Sequence, residues 1–294
     1  MCWVIGAGKM GSNFHYGQEV PYAIAEVSDD LPSADNLVAV VCTGTGIGLV
    51  GFMTGYYLMK QDLEFVELGE IASLSMLSDP IIDENTGYFE SPGIKLRYLD
   101  SGNTPMLFAF GPRQPASWEA YFASNALFDV IERISPDAII LAVGGFGVTN
   151  KEKMPEIVGR PNNRRAEEFM AANEIAKMDD IQEVEGIAKI LNAGQGFQAA
   201  LPMLARKRNL PAVFFLGTTV MPDHMGVRLD IEAVRNVMSK ISDMVGLEVD
   251  FSRIDEEIKS TVSQEKNQQS SIYELAKRFS QSSQPDSPNR DMYI

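Results

Sequence analysis

Glycine-rich turns are the first residues here whose type and spacing could do chemistry. Gly6-Ala-Gly-Lys-Met-Gly11 has the G-x-G-x-x-G spacing of a dinucleotide fingerprint, follows the apolar Trp3 to Ile5, and has Glu26 or Asp29 near the distance of a ribose-binding acid. The helix that should carry the pyrophosphate is poor, because Ser12 to Val20 contains Gly17, lacks apolar periodicity and runs into Pro21. A second match, Gly46-Ile-Gly-Leu-Val-Gly51, follows the apolar run Leu37 to Cys42 and opens a helix through Phe52, Tyr56, Tyr57 and Met59. Amides at such a helix N-terminus can hold an anion. The turn lacks the lysine of a phosphate-binding P-loop, and glycines are equally demanded where a helix packs tightly on a sheet. Gly44, Gly46 and Gly48, with Arg113 in Gly111-Pro-Arg-Gln-Pro115, define a candidate anion or ligand crevice; an interface salt bridge is the competing use for Arg113.

Other site chemistry is sparse. Only His15 and His224 exist, which removes most Ser-His-Asp and His-metal arrangements, and Met221-Pro-Asp-His-Met-Gly226 reads as a solvated turn. Cys2 and Cys42 make neither a disulfide framework nor a zinc site. No carboxylate pair, nucleophile with a base, or metal cluster emerges, so no catalytic residue, cofactor or metal is expected.

The elements that must position the crevice are four apolar runs, each followed by glycine: Leu37 to Cys42 before Gly44, Met106 to Phe110 before Gly111, Ala138 to Val143 before Gly144, and Ala212 to Leu216 before Gly217. Continuous rather than alternating hydrophobicity is what parallel strands need when helices cover both faces. Helical periods stand between them. After Ser117, a predicted N-cap, Trp118, Tyr121, Phe122, Leu127, Val130, Ile131 and Ile134 form a stripe, and Ile231, Val234, Val237, Met238, Ile241 and Val245 repeat it between Asp230 and Gly246. The fold class is α/β, with a mainly parallel sheet and helices on both faces. Glu64 to Ile71 and Ile94 to Leu99 flank the turn signal Asp83 to Gly87 and predict a hairpin interrupting the winding. Arg160 to Arg165 reads as a loop and Ala166 to Met178 as an exposed helix.

Composition sets the outer limits. The 294 residues are 45% hydrophobic and 22% charged, with a formal net charge of −15, a field that repels nucleic-acid phosphates and anionic membrane surfaces. No apolar run approaches the length that spans a bilayer, and Met1 to Ile5 is too short for the core of a secretory signal; a cytoplasmic protein is expected. The sequence predicts a folded domain over 1–260 and a flexible, disordered tail over 261–294. Within the tail, Ser271-Ile-Tyr-Glu274 is a capping-box pattern, and Ile272, Leu275, Ala276 and Phe279 predict a short amphipathic helix over 271–279. Ser280 to Arg290 contains no apolar side chain, yet Asp291-Met-Tyr-Ile294 follows, an apolar tip on a polar tether.

At Thr43-Gly-Thr-Gly-Ile-Gly-Leu-Val-Gly51 followed by a helix, the chain resembles the proteasome assembly chaperone family. The resemblance continues through Gly111 to Pro115, Asp137 to Gly145, Glu185-Gly-Ile-Ala, Leu210 to Gly217 and Asp230 to Asp250, covering roughly residues 36 to 255 in the family's order. It departs at Asn192-Ala-Gly-Gln-Gly196, poorer in small and hydroxyl residues than the family turn, and at Thr218 and Thr219, where a glutamate is common. The resemblance implies a nucleoside-phosphorylase-like fold without the catalytic set. It also implies a non-enzymatic chaperone or adaptor, a homo-oligomer, whose partners are the α-subunits of the proteasome core particle. Some archaeal members end in a hydrophobic-tyrosine-any tripeptide that enters pockets between α-subunits, and Met292, Tyr293 and Ile294 match that tripeptide. The apolar side chain and the ring would fill the slot while a terminal carboxylate pairs with a lysine at its base. The competing expectation is a small-molecule-binding protein or phosphorylase-like enzyme using the crevice at Gly44, Gly46, Gly48 and Arg113.

Overall fold

The computed structural model describes residues 3–4, 23–44, 47–77, 81–82, 89–100, 104–148, 150–152, 154–180, 196–220, 229–256 and 258. The chain divides into two units, Met1–Asp250 and Phe251–Ile294. In the second, residues 252–256 are helical, and the Asp255 amide donates to the Phe251 carbonyl at 2.9 Å.

The first unit is built on the four apolar runs. They become β3 (Val38–Thr43), β8 (Met106–Gly111), β9 (Ile139–Val148) and β12 (Ala212–Val220), which lie side by side in the order β8-β3-β9-β12, all parallel. Every residue of β3 is buried, as a strand covered on both faces must be. The coverage is visible at two consecutive glycines of β9. A Cβ at Gly144 would meet Leu216, Phe214 and Gln198 of α5 (Phe197–Lys207), whereas one at Gly145 would meet Ile47 and Val50 at the start of α1 (Val50–Met59). Successive strand residues point to opposite faces, so α1 and α5 lie on opposite sides of the sheet. The stripes predicted at 118–134 and 231–245 form α3 (Ala120–Ile134) and α6 (Ile231–Val245), except that Trp118 precedes α3 and both it and Tyr121 are exposed rather than part of the buried stripe. Leu127, Phe128 and Ile131 of α3 pack with Ala39 and Val41 of β3 and with Phe197 and Leu201 of α5 in one buried core.

The sheet as a whole is mixed, not mainly parallel. Ten strands run in the order β1-β2-β4-β7-β8-β3-β9-β12-β10-β11, where β1 is Trp3–Val4, β2 Ala23–Val27, β4 Val66–Ser73, β7 Ile94–Leu99, β10 Ile157–Pro161 and β11 Ala176–Lys177. The expected hairpin is present as the antiparallel pair β4 and β7, and it joins the sheet through an antiparallel β7–β8 edge. On the other side β10 pairs antiparallel with β12. These outer strands are partly polar and only half buried, so none of them reads as a continuous apolar run, and they convert a parallel core into a mixed sheet. A separate two-stranded ribbon pairs β5 (Ile81–Ile82) with β6 (Phe89–Glu90).

Three local expectations change. Arg160 and Pro161, read as loop, belong to β10. The helix predicted over 166–178 is α4 (Arg164–Ala172), started by the Asn163 side chain, which accepts from the Ala166 amide at 2.9 Å, and ended before Glu174 at φ 52°. Ser117 does not cap α3; Glu119 occupies that position and makes no side-chain hydrogen bond to the helix. Its carboxylate is taken by α2 (Leu74–Leu77): Glu119 is fully buried and accepts from the Ser75 amide at 3.0 and 3.2 Å and from the Ser75 hydroxyl.

Candidate functional site

Chain order fixes where a site belongs. From β3 the chain winds to β8 on one side, then returns across β3 to β9 and β12 on the other, so the winding direction reverses between β3 and β9. Crevices outside the carboxyl ends of strands at such a reversal are where open α/β sheets place ligands. Here β3 and β9 part early. Their pairing runs from Val38↔Ile139 to Val41↔Ala142, while β9 and β12 stay in register through Val148↔Val220.

The predicted glycines line this end of the sheet. Gly44 and Gly48 both have φ +66°, a left-handed conformation that glycine adopts without the steric penalty of a Cβ. A Cβ at Gly44 would lie 2.0 Å from Cγ of Gln114, and one at Gly48 would lie 2.8 Å from Oγ1 of Thr219. At Gly51 a Cβ would meet the Val143 carbonyl at 2.5 Å, which lets the first turn of α1 sit directly on β9. Close packing therefore accounts for the spacing of Gly44, Gly48 and Gly51. Gly46 lies outside the described residues, as do Gly6 to Gly11, His224, the predicted helix 271–279 and the tripeptide Met292, Tyr293 and Ile294. Arg113 is exposed in the bend after β8, two residues beyond Gly111.

Residues not singled out in the sequence hold the rim together. Gln114, beside Arg113, donates through Nε2 to the Thr43 carbonyl at 3.4 Å and accepts through Oε1 from the Phe197 amide at 2.9 Å. One side chain thus ties the ends of β3, the β8–α3 connection and the start of α5. On the α1 side, the Asp230 amide donates to the Gly48 carbonyl at 3.1 Å. The Asp230 carboxylate accepts from the Ala233 amide at 2.9 Å, capping α6, and pairs with Lys151 at 3.2 Å.

Burial works against a charge on Asp230, but the Ala233 amide, the Thr219 hydroxyl and Lys151 outweigh it and hold its carboxyl below the usual carboxylate range. A lowered folded value means that this group's stabilisation is complete above the ordinary carboxylate range and is lost as pH falls through the lowered value. Asp230→Ala is expected to cost about 1 kcal/mol at neutral pH, with the difference from the parent shrinking in strong acid. Urea midpoints measured across pH check this; a constant difference down to strong acid would contradict it. Cys42 is fully buried, and burial pushes its thiol up, so it remains protonated and unreactive.

Among the described residues no group of three His, Cys, Asp or Glu side chains is placed to hold a metal ion, and no helix is long and apolar enough to cross a membrane. What the rim offers is donors: main-chain amides at two helix starts, the Gln198 amide and the Thr43 hydroxyl.

The fold has close counterparts among solved structures. PbaB of Pyrococcus furiosus, an archaeal proteasome activator, superposes with a TM-score of 0.68 at 19% identity, covering 84% of this chain and 99% of that one. PbaA of the same organism, an archaeal homologue of proteasome-assembly chaperone, gives 0.59 at 19% identity over 86% and 95%. A Mycobacterium tuberculosis protein of unknown function gives 0.60 at 17% identity over 90% of each chain. No curated protein matches the sequence. Likeness at such identities establishes the fold alone. Family membership rests on the sequence itself, because the PAC2 family model matches residues 44–269, well over half of the 294 residues and the stretch that opens on the Gly44 turn. The chain belongs to the PAC2 family.

Proposed function

We propose that this protein is a proteasome assembly chaperone or adaptor with no catalysis of its own, working in the cytoplasm as a homo-oligomer that docks on the α-subunits of a proteasome core particle. The observation that carries the reading is the PAC2 family match over residues 44–269. The fold shared with PbaB and PbaA supports it, since those proteins are an archaeal proteasome activator and a homologue of proteasome-assembly chaperone. In this reading Met292, Tyr293 and Ile294 are the docking residues, carried past the body on the polar stretch Ser280 to Arg290. Each tip is small, so several tails acting together would supply the avidity.

The test is retention of proteasome α-subunits by immobilised full-length protein, by a variant lacking Met292, Tyr293 and Ile294, and by Tyr293→Ala. The parent is expected to retain the subunits and both variants to lose at least about tenfold in apparent affinity, with light scattering showing the same oligomer throughout. A parent that retains no α-subunits defeats the proteasome reading. Variants that bind as well as the parent remove the tripeptide from it.

A further inference from the structure

Of the seven buried side-chain atoms without a hydrogen-bond partner among the described residues, those of Thr43 and Gln198 stand together at the winding reversal. Thr43 is 1% exposed and Gln198 6%, and neither Thr43 Oγ1 nor Gln198 Nε2 has a hydrogen-bond partner within the described structure. Protein interiors rarely leave such groups unpaired, because each forfeits its hydration without compensation.

Their position gives the reason. Gln198 stands on the first turn of α5, yet its Nε2 lies 2.9 Å from where a Cβ would sit at Gly51, on the first turn of α1. Its Oε1 lies 3.7 Å from the same point at Gly144. The amide therefore reaches from one face of the sheet toward the other at the level where β3 and β9 have stopped pairing, beyond Val41↔Ala142. Thr43 is two residues past Val41, on the same side of its strand, and Val41 belongs to the core shared with Phe197 and Leu201. Its side chain thus lies on the face that carries α5. On the opposite face, toward which the Gln198 amide reaches, α1 begins after Leu49 with no side-chain cap and no acid in its first turn.

We propose that the point where β3 and β9 part is a binding site for a small oxyanion of the phosphate class, taken by the Gln198 amide, the Thr43 hydroxyl and the first-turn amides of α1. The polarity argues for an anion. The unpaired atom of Gln198 is a donor, the open end of a helix carries partial positive charge, and Arg113 is a cation on the same end of the sheet. The acid that closes this rim, Asp230, has its carboxylate committed to Lys151 and the Ala233 amide. The site is independent of the docking tail and uses none of its residues.

The experiment is calorimetry and thermal melting of the full chain with inorganic phosphate and with glycerol phosphate, against sodium chloride at matched ionic strength. Phosphate is expected to raise the melting temperature of the parent as a ligand of the folded state does. Gln198→Leu and Thr43→Val are each expected to bind roughly tenfold more weakly. In the absence of phosphate both variants should melt no lower than the parent, because each removes an unpaired buried group; this separates lost binding from lost folding. Glycerol phosphate binding as well as phosphate identifies a monoester ligand, and phosphate alone identifies the free ion; either supports the site. A parent with no heat and no phosphate-dependent shift at millimolar phosphate overturns the proposal, as do variants that keep the parent's affinity. Retention of α-subunits by Gln198→Leu should be unchanged, so failure here leaves the docking reading standing, and the reverse.

Discussion

Gly145→Ala is expected to destabilise the first unit by about 3 kcal/mol, seen as a lower urea midpoint at unchanged slope. A Cβ at this position would lie 2.0 Å from the Ile47 carbonyl oxygen, which belongs to the main chain and cannot swing aside as a side chain can. Relief requires the turn Ile47–Leu49 to lift off β9, and that turn is held by Leu49 in a left-handed conformation at φ 53° and by the Asp230 amide on the Gly48 carbonyl. The neighbouring substitution supplies the control. A Cβ at Gly144 would meet Leu216 Cδ2 at 3.0 Å and nothing closer, the movable end of a leucine, so Gly144→Ala should cost far less. Equal costs at the two positions would show that contact between the Gly44-to-Gly51 turn and β9 is not what these glycines serve.

Glu119→Ala is expected to cost a comparable amount, about 3 kcal/mol, although it deletes a charged residue from a chain already carrying −15. Glu119 is fully buried, and its removal takes the acceptor from the Ser75 amide and loosens the Ser75 hydroxyl, which itself accepts from the Ala116 amide at 2.9 Å. One side chain thereby holds α2 against the start of α3. Glu119→Gln keeps one acceptor and should lose less. Hydrogen exchange reads the mechanism directly: the Ser75 amide should exchange much faster in Glu119→Ala, and unchanged exchange there would refute it.

The parallel core was legible because full burial on both faces writes itself as unbroken runs of valine, isoleucine, leucine and alanine, as in Val38 to Cys42 and Ile139 to Val143. Asp230 and Gly246 bounded their helix as their types predict, one capping with its carboxylate and the other in the left-handed conformation. The mixed character of the sheet was not legible, since β10 is only five residues, Ile157 to Pro161, set within a charge-dense stretch, and its membership depends on β12 more than fifty residues later. Ser117 failed as a cap for a similar reason: the helix start is decided by what Glu119 meets on α2, and that partner is 44 residues away. At the rim the glycines could be found by spacing, but Gln114 and Phe197 meet across 83 residues. An amide side chain leaves no periodic trace from which such a meeting could be read. PAC2 membership, by contrast, was carried by the order of loose motifs along the chain, information that survives where individual contacts leave no sign.

Among the described residues, the ten-stranded sheet finishes at both ends on two-residue strands, Trp3–Val4 and Ala176–Lys177. A free strand edge is a template on which another chain can lay down hydrogen bonds, and its hazard grows with the number of amides and carbonyls it presents in a row. Two residues present too few to seed that growth, and Lys177 places a charge on one of them. Along the described edges, fibrous self-addition is thereby disfavoured.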